Sequence, residues 1–347
     1  MKIVHVVATA QFAGTERYVS EVAAVQAGRG HDVLVIGGPA DRMPAEVAPA
    51  RWLPAASAAA AWRRLVLAPR PDVVHAHLTA AEGAALGALR WRGVPVVSTR
   101  HIARPRGSSA VVRALSPLVD RALSDQIAIS SFVAGSVGIA DIAVLVNGVR
   151  PGPDRARGAR RNVLVLQRLE AEKDTATALR GWAQSGLAQQ GWTLVVAGAG
   201  SELARLQALA TDLQAGSVQW RGFVGTTAQL LDDAAMLLAP APAEPLGLSV
   251  LEAMARGVPV LAAAGGGHLE TLGPDYPLTF LPGDAQACAQ QLTRAAGDES
   301  LLQRLSGALQ SRQRELFDLD HHVDQLLRRY ETVSSPRRDA SRTGPRR

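Results

Sequence analysis

With 347 residues the chain is long enough for two domains that each bury a full core. Its 47% hydrophobic content is that of a soluble globular protein, no apolar run reaches the ~18 residues a membrane span needs, and the single cysteine, Cys288, excludes an internal disulfide and fits a cytoplasmic location. The formal charge of +6 would suggest nucleic acid if it were spread over a surface, but residues 150–161 and 336–347 each hold five Arg and one Asp, which leaves the rest slightly acidic. A Pro/Gly-rich linker and tail of that kind are expected to be solvated and disordered. The further use they allow is a peripheral contact with an anionic membrane, at the inner face of the plasma membrane.

The opening residues MKIVHVVATA have an apolar core too short for a signal peptide and interrupted by His5, so residues 3–8 read as a first β-strand. The strand runs into Ala13-Gly14-Thr15-Glu16, after which Val19, Val22, Ala23 and Gln26 keep a helical spacing up to Gly28 or Gly30. Strand, glycine turn and helix open a doubly wound fold. Residues 31–37, 72–76, 94–99, 126–130 and 142–146 are further short, mostly apolar runs without alternation, as in a parallel sheet buried on both faces, with Ala-rich helices at 80–92 and 111–122. Beyond Asn147-Gly148-Val149 and the basic linker the pattern restarts, and 162–166, 192–197, 218–223, 236–239, 258–262 and 278–281 read as a second sheet. The expected organisation is an N-terminal Rossmann-like domain over 1–150, a linker over 151–161 and a C-terminal domain over 162–314. A closing helix over 315–333 and a disordered tail over 334–347 follow.

Chemistry gathers around Glu244-Pro-Leu-Gly-Leu-Ser-Val-Leu-Glu252. Leu248, Leu251 and Ala255 recur at helical spacing, so Glu252 rides the opening turns of a helix and Glu244 sits in the loop before it. Unpaired N–H groups near Leu248, Ser249 and Val250, with the helix dipole, suit a phosphate. Carboxylates beside a phosphate site are suited instead to accept from hydroxyls, which makes a polyol joined to a phosphate, such as a nucleotide sugar, the natural ligand. The Gly14 turn lies at the C-terminal end of its strand, where open α/β sheets bind ligands, but it lacks G-x-G-x-x-G, so nicotinamide is unsupported. His101 follows a strand at the same edge, and His5, His31, His75 and His77 have no better individual claim. Arg168 and Lys173 stand five apart just beyond the strand at 162–166, in a chain with only two lysines. No Cys/His/Asp group has metal-ligand spacing along the chain, and no phosphate-loop lysine motif is present.

The string at 244–260, E-P-L-G-L-S-V-L-E-A-M-A-R-G-V-P-V, resembles the donor-site signature of retaining family 4 glycosyltransferases of the GT-B fold, usually E-G-F-G-L-x-x-L-E-A-M-A-x-G-x-P-V; Pro245 and Leu246 depart from it. Five other sites resemble the family in the same order, Asn147-Gly148-Val149 among them. Ala13-Gly14-Thr15-Glu16 stands for G-G-x-E, and Thr99-x-His101 for T-x-H. Gln167 to Asp174 stands for G-R-L-x-x-x-K-G with both glycines replaced, and Gly266-Gly267-x-x-Glu270 for G-G-x-x-E.

The resemblance implies two Rossmann-like, doubly wound parallel-sheet domains facing a central cleft. A nucleotide-diphospho-sugar would be held mainly by the second domain and the acceptor by the first. It implies that the backbone at Gly14 and Thr15 approaches the donor phosphates, that the region of Phe223 lines the base pocket, and that Glu252 binds the ribose. Glu244 would hold donor-sugar hydroxyls, and His101 would contact the sugar near the reacting centre. Arg168, Lys173 and the helix opening at Leu248, Ser249 and Val250 would stabilise the departing diphosphate without a metal. The expected reaction moves a hexose-type sugar, with retention, to a hydroxyl of a glycan, lipid-linked or small-molecule acceptor, with no cofactor beyond the donor substrate. A nucleotide-sugar epimerase of the same fold and a non-catalytic nucleotide-sugar-binding protein are the alternatives. Trp62, Arg63, Arg64 and the arginines between 100 and 113 form a basic-aromatic set for a lipid-linked acceptor or an ordinary Arg-rich surface.

Overall fold

A computed structural model describes residues 1–89, 92–107, 110–153 and 160–335, with the side chains of 110–112 outside that description. The chain forms two compact units that are not simple halves. The first comprises Met1–Ala128, Val137–Leu145 and the described part of Val323–Arg347; the second comprises Ile129–Ser136 and Val146–His322.

The first unit holds a sheet of β1 (Lys2–Val7), β2 (Asp32–Gly37), β3 (Arg51–Leu53), β4 (Val73–His77), β5 (Val96–Arg100), β6 (Asp125–Ala128) and β7 (Ala143–Val144). Their order is β3-β2-β1-β4-β5-β6-β7, every pairing parallel. The chain winds outward from β1 to one edge, returns to β4 and winds to the other, so the order reverses between β1 and β4. β3 has no counterpart in the sequence reading: three residues at a sheet edge carry no periodicity, and Trp52 is tied in by donating from Nε1 to the carbonyl of Gly37 at 2.7 Å.

The two faces of this sheet differ in chemistry. Val4, Val6, Leu34, Ile36, Val74 and Ala76 pack with the helices Ala58–Leu67 and Thr79–Leu89 in one apolar cluster. Successive strand residues alternate faces, so the other face receives Ile3 and Val7 together with His5, His75 and His77, all fully buried. The apolar runs of the sequence reading thus contain a polar row. Gln26 of the helix Gly14–Gly28 and Tyr330 of the helix Leu319–Ser334 bond to that row.

The second unit holds β8 (Asn162–Leu166), β9 (Thr193–Ala197), β10 (Val218–Gly222), β11 (Met236–Ala239), β12 (Val260–Ala263) and β13 (Thr279–Phe280). The order is β10-β9-β8-β11-β12-β13, again parallel throughout, and it reverses between β8 and β11. Trp182, Leu179, Val163, Leu194 and Met236 belong to its core, where the Trp182 indole donates to the carbonyl of Gly216 at 3.1 Å.

The closing helix expected over 315–333 is Leu319–Ser334, and Glu315 lies in the last turn of the preceding helix, Glu299–Leu316. The break falls where Val149 donates to the Phe317 carbonyl at 2.9 Å, and where a Cβ on Gly148 would lie 2.5 Å from the Asp318 carbonyl oxygen. Most of the basic linker and all of the 336–347 tail lie outside the described residues. Among the described residues no helix is long and apolar enough to cross a membrane.

Candidate active site

Ligands of open α/β sheets sit beyond the carboxyl ends of the strands, at the point where strand order reverses. In the second unit that point lies between β8, which leads to Arg168 and Lys173, and β11, which leads to Glu244. The Lys173 ammonium meets Glu244 Oε2 at 2.6 Å, and the two side chains are only 14% and 16% exposed. The lysine is held from behind. Gln167 donates from Nε2 to the Lys173 carbonyl and to the Thr175 hydroxyl, each at 2.9 Å. Asp174 takes the left-handed backbone at φ 46° and caps the helix Thr175–Ser185, accepting from the N–H and hydroxyl of Thr177 at 3.3 and 2.7 Å. Both departures from the family's glycines therefore have a structural use.

Arg168 does not join this pair. Its guanidinium is 55% exposed and bonds to Glu172 at 2.8 Å. Its loop is fixed from below, because a Cβ on Gly198 or Gly200 would run into the carbonyl oxygens of Gln167 and Leu169, at 1.8 and 2.2 Å.

Beyond Glu244, the helix Leu248–Ala255 starts from Gly247 in the left-handed region, and no side chain caps it. Its first N–H groups, at Leu248, Ser249 and Val250, precede any acceptor within the helix and form a donor set for an anion. Glu252, one turn further, accepts from the Thr227 hydroxyl at 2.8 Å. Phe223, just past β10, is 60% exposed.

The three glycines at 265–267 let two stretches of backbone meet closely. A Cβ on Gly265 would lie 2.2 Å from the Pro242 oxygen, one on Gly266 2.5 Å from the Glu244 oxygen and one on Gly267 2.6 Å from the Pro245 oxygen. The Gly267 N–H donates to the Glu244 carbonyl at 2.6 Å. The glycine loop thus packs backbone to backbone on the segment that carries Glu244. That segment is also held by hydroxyls, from Ser130 to the Pro245 carbonyl at 2.6 Å and from Thr271 to the Leu246 carbonyl at 2.8 Å. Glu270 accepts the N–H groups of Ser131 and Phe132 at 2.7 and 2.6 Å, at the opening of the helix Ser131–Val137. His268 lies 2% exposed behind the loop, donating from Nδ1 to the Ala263 carbonyl at 3.1 Å, and burial lowers its pKa.

In the first unit the reversal lies between β1 and β4. Gly14 and Thr15 open the helix that follows β1, and the buried Glu16 carboxylate reaches back to accept the Ala13 N–H at 2.8 Å, shaping the turn. Burial raises the pKa of Glu16. His101, 8% exposed, follows β5 and contacts Nδ1 of His77 through Nε2 at 3.1 Å. The histidine row beneath it was missed in sequence, where each histidine was weighed singly. The signal was the i, i+2 spacing of His75 and His77 on one strand, opposite a histidine on the first strand. His5, His75 and His77 bring ring nitrogens within 4.8 Å of one another, a spacing a metal can use, but all six ring nitrogens already have hydrogen-bond partners.

Two doubly wound parallel-sheet units, one with a lysine–carboxylate pair and an uncapped helix opening at its switch point, define a Rossmann-like architecture. A family model described as Glycosyl transferases group 1 matches residues 154–312, and one described as Glycosyltransferase Family 4 matches residues 12–152. Glycogen synthase of Mycobacterium tuberculosis is 30% identical over 276 residues, which is 72% of this chain and 66% of that relative, so just under two-thirds of the relative's length is spanned. The structure is similar to HepE of Anabaena in complex with UDP-glucose, with a TM-score of 0.81 at 19% identity over 96% of this chain and 100% of that one. It is also similar to a glycosyltransferase from Rickettsia africae, with a TM-score of 0.79 at 17% identity over 95% and 98%. The chain belongs to the GT-B glycosyltransferases.

Proposed function

We propose that the chain is a retaining, metal-independent hexosyltransferase that takes a sugar from a nucleotide-diphospho-sugar to a hydroxyl of a glycan, lipid-linked or small-molecule acceptor. The observation that carries this reading is the Lys173–Glu244 pair at the switch point of the second sheet, next to the uncapped opening of the helix Leu248–Ala255. A cation and free N–H donors suit a diphosphate, and a carboxylate beside them suits sugar hydroxyls. HepE, solved with UDP-glucose, supports the donor class.

In the proposed reaction the diphosphate enters with its charge toward Lys173, Arg168 and the N–H groups of Leu248, Ser249 and Val250. Lys173 then divides its interaction between phosphate and Glu244, and Arg168 swings from Glu172 to the phosphate. Glu252 accepts from ribose hydroxyls, Phe223 borders the base, and Glu244 orients the sugar ring. The acceptor oxygen bonds to the anomeric carbon as the bond to the diphosphate oxygen breaks, and the acceptor proton passes to the departing phosphate on the same face. Positioning and charge stabilisation supply the rate. The test is product stereochemistry by NMR with the donor that binds. Retention without a trapped sugar–enzyme adduct fits the proposal, whereas inversion or a covalent adduct on a carboxylate overturns this mechanism.

A further inference from the structure

Within the first unit, the amino ends of β1, β2 and β3 and the end of the helix Ala58–Leu67 enclose a cavity of about 600 Å³. It lies at the opposite end of the strands from the carboxyl edge where open α/β sheets bind their ligands, and its volume is that of a small-molecule site. Strand register sets Val4 beside Leu34 and Leu34 beside Arg51, and one pleat earlier Lys2 beside Asp32, so these side chains share the face that the helix covers. Val4 and Leu34 are buried in the apolar cluster of that face, with Leu53 packed against it. From the helix side the cavity is lined by Leu67, Pro69 and Pro71, and Leu67 is 80% exposed.

The walls offer little to a polar body. The Trp52 indole N–H is spent on the Gly37 carbonyl at 2.7 Å, the Ala68 N–H on the Arg64 carbonyl at 2.9 Å, and Pro69 and Pro71 have no N–H to donate. An alkyl chain, by contrast, would cover Leu67 and the edge of the cluster. The charged residues lining the cavity are three cations, Lys2, Arg51 and Arg64, and one acid, Asp32. Asp32 is engaged by Arg51 at 2.6 Å, and Asp72 nearby accepts the Lys2 backbone N–H at 2.7 Å. Among the described residues no acid pairs with the Lys2 ammonium or the Arg64 guanidinium.

We infer that this cavity binds a single-chain anionic amphiphile, a medium-chain carboxylate whose alkyl chain lies on Val4, Leu34, Leu53 and Leu67 and whose head group meets Lys2 and Arg64. Charge selects this occupant over the others. The continuation of the chain, 336–347, follows the helix whose Ser334 hydroxyl donates to the Asp72 carbonyl at 3.2 Å, but with five Arg and one Asp it has the sign of the lining cations. A second copy in a two-fold contact would set those cations against themselves.

The test is calorimetric titration of the full chain with hexanoate, octanoate and decanoate below their micelle concentrations, beside 1-decanol and decyltrimethylammonium. Decanoate should saturate a single site, with affinity rising about threefold to fourfold for each added CH2. Decanol should bind more weakly, and decyltrimethylammonium should not compete. Lys2→Glu with Arg64→Glu should weaken decanoate about tenfold or more and leave decanol unchanged. Ala68→Phe, which fills the cavity, should abolish both; should it not fold, Leu67→Asp, at an exposed position, should weaken decanoate about tenfold. Affinity independent of chain length or of head-group charge, uptake without saturation, or full affinity in the charge-reversed variant overturns the inference. Binding to phosphatidylglycerol vesicles without uptake of decanoate would assign the face to a bilayer, and a dimer that Leu67→Asp dissociates would assign it to a second copy; either overturns the inference. No titration here uses a nucleotide, so the outcome is independent of the transferase reading.

Discussion

Gly266→Ala probes how the candidate site is built without touching a charged residue. Gly266 has φ +57°, and a Cβ there would lie 2.5 Å from the Glu244 oxygen and 2.7 Å from the Glu244 nitrogen. Both atoms belong to the backbone, so neither can rotate away. The left-handed conformation costs an alanine about 1–2 kcal/mol. Relieving the contacts requires the two segments to part by roughly 0.5–1 Å, at about 1–2 kcal/mol more. The expected loss of stability is thus about 2–4 kcal/mol, measured by urea unfolding. Because the displaced segment carries Glu244, turnover of the donor should fall by up to about 10²-fold under conditions where the variant is still folded. Gly307→Ala serves as the control: nothing lies within 4 Å of that position in the helix Glu299–Leu316, and the change should stabilise by about 0.5–1 kcal/mol. A Gly266→Ala protein with unchanged unfolding midpoint and turnover would refute the backbone-packing account of the glycine loop.

Asp174→Ala should cost about 2 kcal/mol, from a lost cap and a left-handed alanine, whereas Asp174→Gly keeps the conformation and should cost less than 1 kcal/mol; equal effects in urea unfolding would contradict the dual role. Glu82 is 1% exposed and bonded to Arg106, Ser98 and Arg100; burial raises its pKa, but Arg106 and the other partners outweigh that and the net shift is downward. Arg106→Met should therefore destabilise by about 3–5 kcal/mol at neutral pH, because a buried carboxylate loses its main partner, and Arg106→Met with Glu82→Leu should recover much of it. His5 and His322 have folded pKa values of about 4 through burial, below the unfolded value of 6.5, so the unfolded chain binds more protons in between. Stability should fall as pH drops from 6.5 toward 4, each group contributing about 2 kcal/mol between pH 7 and pH 5. A flat unfolding free energy over that range would show that these rings are already charged in the fold.

Much of the fold was legible because a strand buried on both faces and a helix after a glycine turn leave local signals. β8 and β11 span the residues expected from the sequence, and Glu244 and Glu252 occupy the loop and helix assigned to them. Pairing between distant segments was not legible. Nothing near Lys173 reveals that its ammonium will meet Glu244, and only the adjacency of β8 and β11 brings them together. The histidine row has the same cause: parallel register joins His5 to residues about 70 positions later, while along the chain each is one polar residue in an apolar run. Asp174 was read as a loss of glycine, since sequence alone does not show that an aspartate holds the left-handed turn and caps the next helix. The packing of Gly265, Gly266 and Gly267 on the Glu244 segment was not legible either, because a demand for closeness looks the same whether a substrate or another backbone fills it.

The central claim, a nucleotide-sugar donor held at the switch point of the second sheet, is tested most directly by calorimetry. UDP, GDP, ADP and their common sugar conjugates would be titrated into the unmodified protein, Lys173→Ala and Glu252→Ala. The account predicts that one base binds clearly and that both substitutions weaken it, Lys173→Ala through the diphosphate and Glu252→Ala through the ribose. No binding by any nucleotide at millimolar concentration, or full affinity in both variants, would contradict it.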